Sequence, residues 1–167
     1  MNDFLIERTF VAIKPDGVQR SLVGEVLGRF EKAGLKIVGM KMQWINKDFA
    51  MKHYTEDIEK RRGKKVRDLL MSYIVDGTVV AIVLEGIHAI EVVRKIVGVT
   101  EPKAALPGTI RGDFCHVSYD YADKKELAIR NIIHASGSKE DAEYEISLWF
   151  KNNELHSYKN VHDVHIF

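Results

Sequence analysis

The chain has 167 residues, 46% of them apolar, enough for one domain spanning 1–167 with a sizeable core and no disulfide or metal staple. Lys and Arg total 25 against 24 Asp and Glu, a formal net charge of +1, which excludes a generic polyanion binder and makes nucleic acid an unexpected partner. The single cysteine, Cys115, rules out an internal disulfide and reads, beside Phe114, as a small buried side chain. Met1-Asn2-Asp3-Phe4 carries no signal-peptide pattern, and no apolar run approaches the ~20 residues of a membrane helix. A cytoplasmic protein without membrane contacts is therefore expected.

Arg8 to Ile13 is the first β-rich run. Leu22, Val23, Val26, Leu27 and Phe30 then form a helical stripe, with Gly34 offering an exit. Leu35 to Trp44 is a second β-rich run, and the charged stretch Glu56 to Arg67 reads as a surface excursion. Thr78 to Leu84 is nearly all apolar, as a strand covered on both faces would be. A helix is predicted over Ala89 to Val97. The turn signal Pro107-Gly108 leads into a fourth candidate strand, Gly112 to Tyr119. Tyr119 to Lys125 reads as a second excursion. Ser138-Lys139-Glu140-Asp141 matches a capping box and opens a last helix that buries Ala142, Ile146, Trp149 and Phe150. The order β-α-β-(helices)-β-α-β is that of the ferredoxin-like split βαβ: an α+β fold (βαββαβ), a four-stranded antiparallel sheet with helices packed on it. Such an architecture hosts many activities and decides none.

Several motifs can be set aside. Val11-Ala12-Ile13-Lys14 matches the V-A-I-K strand of protein kinases, but no glycine-rich loop precedes it and Gly112-Asp113-Phe114 has the wrong order. No Walker A pattern occurs. The tail histidines His156, His162 and His165 fit no recurrent zinc spacing and read as a solvated tail.

What remains are residue types that handle phosphate, placed next to turn signals. Lys14 ends a strand just before Pro15-Asp16-Gly17, where proline fixes φ and glycine permits a tight turn. Taken alone, a strand-end lysine is usually a solvated charge. Arg94 and Arg111 offer guanidinium forks and Thr100 a hydroxyl to a polyphosphate, although each arginine alone is more often a surface residue. His134 is followed by Ala135-Ser136-Gly137-Ser138, just ahead of a helix N-terminus where backbone N–H groups favour an anion. A lone histidine there would read as a cap or core residue. Glu145, on the same helix, is able to bond one ring nitrogen and leave the other free to attack.

Together these segments resemble the nucleoside diphosphate kinase family, from Glu7-Arg8-Thr9-Phe10 to about Phe150. The resemblance lies in Ile13-Lys14-Pro15-Asp16-Gly17-Val18-Gln19-Arg20, His53-Tyr54, Pro107-Gly108-Thr109-Ile110-Arg111-Gly112-Asp113-Phe114, Asn131-Ile132-Ile133-His134-Ala135-Ser136 and Glu145-Ile146, in that order. It implies a ping-pong transfer of the γ-phosphoryl group from a nucleoside triphosphate such as ATP or GTP to a nucleoside diphosphate. His134 corresponds to the phosphorylated histidine and Glu145 to the carboxylate that orients it. Lys14, Arg94, Thr100, Arg111 and Asn131 fall on positions that hold phosphates and ribose, Tyr54 on a tyrosine at the phosphate end, and Ser136 on a serine beside the histidine. Mg²⁺ is implied to arrive with the nucleotide, without a metal cage of the protein's own. The family's oligomers imply a homo-oligomer, a hexamer first.

The chain departs from the family pattern at several places. Ala135 replaces the usual glycine, and Ser136-Gly137-Ser138 lacks the usual aspartate. The stretch after Tyr54 is longer and more charged, and Val66, with Leu70 nearby, stands where relatives stack a phenylalanine on the base. An aliphatic wall forfeits about 0.5–1.5 kcal/mol of aromatic stacking. The insertion from Ser118 to Leu127 has no role assigned by the sequence.

Overall fold

The computed structural model describes residues 5–54 and 56–165. β1 runs Ile6–Ile13, and Lys14 leads into a short helix α1, Pro15–Gln19, with proline at its first position, where the missing N–H costs nothing. α2 (Val23–Lys32) is followed by Gly34, which turns the chain at φ 85° into β2, Lys36–Trp44. α3 (Lys47–His53) starts where the Asn46 side chain accepts the Phe49 N–H at 2.9 Å. Then come α4 (Glu56–Arg62), α5 (Lys64–Ile74), β3 (Thr78–Ile87) and α6 (Ala89–Val97). A 3-10 turn at Pro102–Ala104 precedes α7 (Ile110–Phe114), α8 (Tyr119–Lys124) and β4 (Ile133–Ala135). α9 (Lys139–Trp149), capped by the Ser138 hydroxyl on the Asp141 N–H at 3.1 Å, and α10 (His162–His165) complete the order.

The strands lie in the order β2-β3-β1-β4, every neighbouring pair antiparallel, which is the ferredoxin-like α+β arrangement. Side chains alternate across the sheet. Val11, Ile13, Ile82, Leu84 and Ile133 pack against Val26 and Phe30 of α2 and Val93 and Val97 of α6. Phe10, Ala12, Val79, Ala81 and Val83 meet Ala50 of α3, Met71 and Ile74 of α5 and Trp149 of α9. Both faces are therefore covered, and Val79 through Leu84 are buried throughout, as their unbroken apolar run requires. No helix of the described residues is long and apolar enough to cross a membrane.

Two expectations are overturned. Gly112 to Tyr119 is not a strand but the end of α7, an extended link and the first residue of α8. The Thr109 hydroxyl accepts the Gly112 N–H at 3.1 Å and starts a helix there. The fourth strand is Ile133–Ala135, three residues long and too short to show alternation. The charged stretches form helices, α4, the start of α5, and α8. Cys115 is half-buried rather than a core residue, its Sγ 3.8 Å from an Arg20 nitrogen. The tail follows β2, with the His156 N–H on the Val38 carbonyl at 2.7 Å and Asp163 on Lys36 at 3.2 Å.

Gly112 packs so closely beneath the chain that a Cβ would lie 2.1 Å from the Leu106 carbonyl oxygen. Backbone, unlike a flexible side chain, cannot step aside by that much. Gly112→Ala is expected to lower stability by about 3 kcal/mol, read as a reduced midpoint of urea unfolding. An unchanged midpoint would show that the 106–112 loop can slide.

Candidate active site

The site is built around a backbone strain. Ile132, fully buried, holds φ 69°, a region that β-branched residues avoid at a cost of about 1–3 kcal/mol. The surroundings over-determine it. Its N–H donates to Asp16 Oδ2 at 3.0 Å, and its carbonyl accepts the Lys14 N–H at 2.7 Å. The Tyr73 hydroxyl donates to the other Asp16 oxygen. The kink delivers β4 to β1 in the register that sets His134 opposite Ala12, so His134 shares the face of Phe10 and Ala12, the face that α9 covers.

There His134 Nε2 lies 2.7 Å from Glu145 Oε1. The Ser136 hydroxyl donates to Glu145 Oε2 at 2.6 Å and accepts the Phe10 N–H at 3.3 Å. A carboxylate accepts only, so the proton sits on Nε2 and the lone pair on Nδ1. The His134 side chain keeps 23% of its surface exposed and lines a cleft of about 620 Å³, so a ligand can reach it. His134 is on a strand, and Glu145 is in the second turn of α9, not at the helix entrance.

His53, quoted in the sequence only as part of His53-Tyr54, is the neighbour that sequence reasoning passed over. Its ring meets that of His134 edge-on at 4.6 Å between centroids. Burial above all, then the adjacent His134, holds its pKa well below the ordinary value, so it stays neutral. Its Nδ1 accepts the Trp149 indole N–H at 3.2 Å, and its Nε2 has no partner among the described residues. Tyr54, buried beside it, lines the cleft, and burial raises its hydroxyl pKa.

One end of the cleft is cationic. Lys14 Nζ donates to Asn131 Oδ1 at 2.8 Å, and Asn131 Nδ2 donates to the Thr100 carbonyl at 2.8 Å. Burial first, then the Arg111 charge, pushes the Lys14 pKa down to about 8. Arg111 is pushed down to about 10, chiefly by burial. Its Nε and two Nη atoms donate to the carbonyls of Asn131, Gly98 and Ile133 at 3.4, 2.8 and 2.6 Å, so much of this fork holds the backbone instead of waiting for a ligand. Arg94 and Thr100 are exposed and line the same end. Gly137 and Asp141 also line the cleft, and Asp141 Oδ2 would lie 2.8 Å from a Cβ on Gly137.

The rest of the cleft wall mixes aliphatic side chains with an ion pair and a ring. Val66 and Leu70 of α5 line it, as do Leu127 and Ile129. So do Arg62, Tyr119, Ala122 and Asp123, from stretches that the sequence presents as charged excursions. The donor atoms of His53, His134 and Glu145 lie within 4.8 Å of one another. Two imidazoles and a carboxylate already engaged by Ser136 and His134 suit a hard Mg²⁺ poorly, since that ion prefers octahedral oxygen.

A model of the nucleoside diphosphate kinase family matches residues 7–155. The chain is 53% identical over 158 residues to a Pyrococcus furiosus protein named nucleoside diphosphate kinase, covering 95% of this chain and 91% of that one. A Borreliella burgdorferi protein of the same name is 47% identical over 156 residues, covering 93% of each. Among solved structures, a transition-state mimic of the nucleoside diphosphate kinase from Borrelia burgdorferi, with bound vanadate and ADP, superposes with TM-score 0.94 at 46% identity, covering 96% of both chains. A halophilic nucleoside diphosphate kinase from Halobacterium salinarum in complex with CDP gives TM-score 0.82 at 37% identity, covering 96% of this chain and 98% of that one.

The depressed Lys14 pKa has two consequences of opposite sign. A bound polyanion favours the ammonium, so binding of inorganic tripolyphosphate should weaken as pH rises past about 8 and should there take up a proton. Calorimetry in two buffers of different ionisation enthalpy measures that uptake, and Lys14→Gln should abolish it. In the free protein, the unfolded lysine binds more protons between about 8 and 10.5, so the Lys14 contribution to stability rises with pH across that window.

Proposed function

The chain belongs to the nucleoside diphosphate kinase family, a family of phosphotransferases, and from that premise we propose that it carries γ-phosphoryl groups between nucleotides on His134. The observation that carries this reading is the 2.7 Å bond from His134 Nε2 to Glu145, which leaves Nδ1 as the nucleophile on the wall of a cationic cleft. The Nδ1 lone pair attacks the γ-phosphorus, the bond from that phosphorus to the bridging oxygen breaks, and the diphosphate leaves with the electron pair. Nε2 keeps its proton throughout, so the positive charge that develops on the ring faces the Glu145 carboxylate. A second diphosphate then attacks the phosphoryl group through a terminal oxygen, the N–P bond breaks, and the neutral ring returns.

Lys14, Arg94 and Arg111 offset the phosphate charge, which is ~4 units in a triphosphate. Mg²⁺ enters as part of the substrate, on phosphate oxygens. Asn131, tied to both Lys14 and Thr100, and Tyr54 border the phosphate and ribose end, while Val66 and Leu70 offer an apolar wall to the base. Relatives solved with ADP and with CDP support a nucleotide as occupant. Fixed charge for phosphates and apolar surface for the base grip features common to all nucleotides, so ATP, GTP and other donors should serve. Exposed Met40, Met42 and Trp44 along the edge strand β2 support association into a homo-oligomer. A reducing cytoplasm suits a chain whose single thiol, Cys115, is free.

His134→Ala should abolish the acid-labile label that the protein acquires from γ-labelled triphosphate; normal turnover in that variant would sink the assignment. Initial rates should give parallel double-reciprocal lines, the signature of a covalent carrier. Glu145→Gln should hold the ring less well and favour the wrong tautomer, lowering kcat at least about tenfold with smaller effects on nucleotide affinity.

A further inference from the structure

The segments that the sequence left without a role, α4 with its junction to α5 and the insertion carrying α8, meet over the mouth of the cleft. The Arg62 guanidinium lies over the Tyr119 ring, 3.9 Å from its centroid, and its Nη2 is 3.6 Å from Asp123 Oδ2. Lys65 adds a contact to Glu126 at 2.5 Å. These contacts tie two segments distant in sequence, the α4–α5 junction and α8, and both line the cleft. On α8, Tyr119, Ala122 and Asp123 stand at i, i+3 and i+4, one face of a helix, and all three line the cleft together with Val66 and Leu70 of α5. A second hollow at the same junction is lined by Arg62, Val66, Tyr119 and Asp123.

We propose that α8 is the second wall of the base slot: the nucleobase slides between Val66 and Leu70 on one side and Tyr119 and Ala122 on the other, and Arg62 latches the slot by gripping Tyr119 and Asp123. The inference rests on the nucleotide reading above and deepens it. It supplies from the insertion an aromatic ring, where α5 lines the cleft with the aliphatic Val66 and Leu70. Arg62 lies over one face of the Tyr119 ring, and Tyr119 also lines the cleft, where a flat base would gain stacking area. The latch is built of exposed groups, with the Arg62 and Asp123 side chains 35% and 57% accessible, so water competes for both partners and the slot can open for exchange. Apolar and aromatic faces hold any purine or pyrimidine by its plane, which suits a carrier serving several nucleotides.

The test compares equilibrium binding of ADP with that of ribose 5-diphosphate, which keeps the sugar and phosphates but has no base. Tyr119→Ala should weaken ADP binding about fivefold or more while leaving ribose 5-diphosphate within about twofold. Tyr119→Phe, which keeps the ring, should bind ADP as the wild type does. Arg62→Ala should speed ADP release several-fold in stopped-flow chase without changing release of the base-free ligand. Equal losses for both ligands, no loss for either, or failure of Phe to preserve ADP binding would overturn the proposal. Binding is measured without turnover, so a failure of the phosphohistidine reading would show separately, as absence of label on His134.

Discussion

The Asp16 carboxylate accepts the N–H of Ile132, and that bond holds in place the strained residue on which the rest of the site depends. A β-branched side chain at φ 69° would relax into an extended conformation if left alone. It is kept from doing so by the Asp16 carboxylate on one side, the Lys14 N–H on the other and burial in the core beneath α2 and α6. On either side of the kink stand Asn131, which ties Lys14 to Thr100, and the short strand that presents His134. Pro15-Asp16-Gly17, legible in sequence as a turn, thus has a second duty that no local pattern announces. Its acid reaches across 116 positions to fix the active strand.

Cations and histidines in this site owe their positions to bonds that do not themselves react. Arg111 donates to the carbonyls of Gly98, Asn131 and Ile133, joining the end of α6 to both sides of the kink. Glu145 shares one carboxylate between His134 and Ser136, and Ser136 is itself held by Phe10 of β1. The arrangement costs stability, since burial works against the charge on both Lys14 and Arg111. What it gains is a pocket whose positive charge is fixed in place before any phosphate arrives, so little reorganisation accompanies the reaction.

Much of this was readable from residues. Strands β1, β2 and β3 declare themselves through β-rich runs, and α2 and α9 through stripe and cap, because each is long enough for its period to show. The fourth strand does not, since three residues carry no alternation and the motif around Pro107-Gly108 drew attention to a segment that Thr109 winds into a helix. His134, Lys14, Asn131, Arg94, Thr100, Tyr54, Ser136, Val66 and Leu70 all border or support the one cleft. Arg111 does so as well, but with its fork largely turned to the backbone. Missed were His53, at the end of α3, whose meaning depends on the His134 ring packed against it from β4, and α8, whose charge composition resembles that of any solvated helix. In both, the decisive partner lies far away in sequence.

The two ends of the cleft differ in how they are held, and the difference follows from the chemistry each end faces. Phosphates are the same in every nucleotide, so a rigid buried frame built from Lys14, Asn131 and Arg111 loses nothing by having one geometry. Bases vary in size and in edge pattern. A wall fixed by buried hydrogen bonds would suit one and leave polar groups unpaired against the others. Between α4–α5 and α8 the ties are instead exposed ion pairs and a cation over a ring, contacts that yield and reform at small cost. Precision is thus concentrated where phosphorus changes partners, and compliance where the substrate's identity varies.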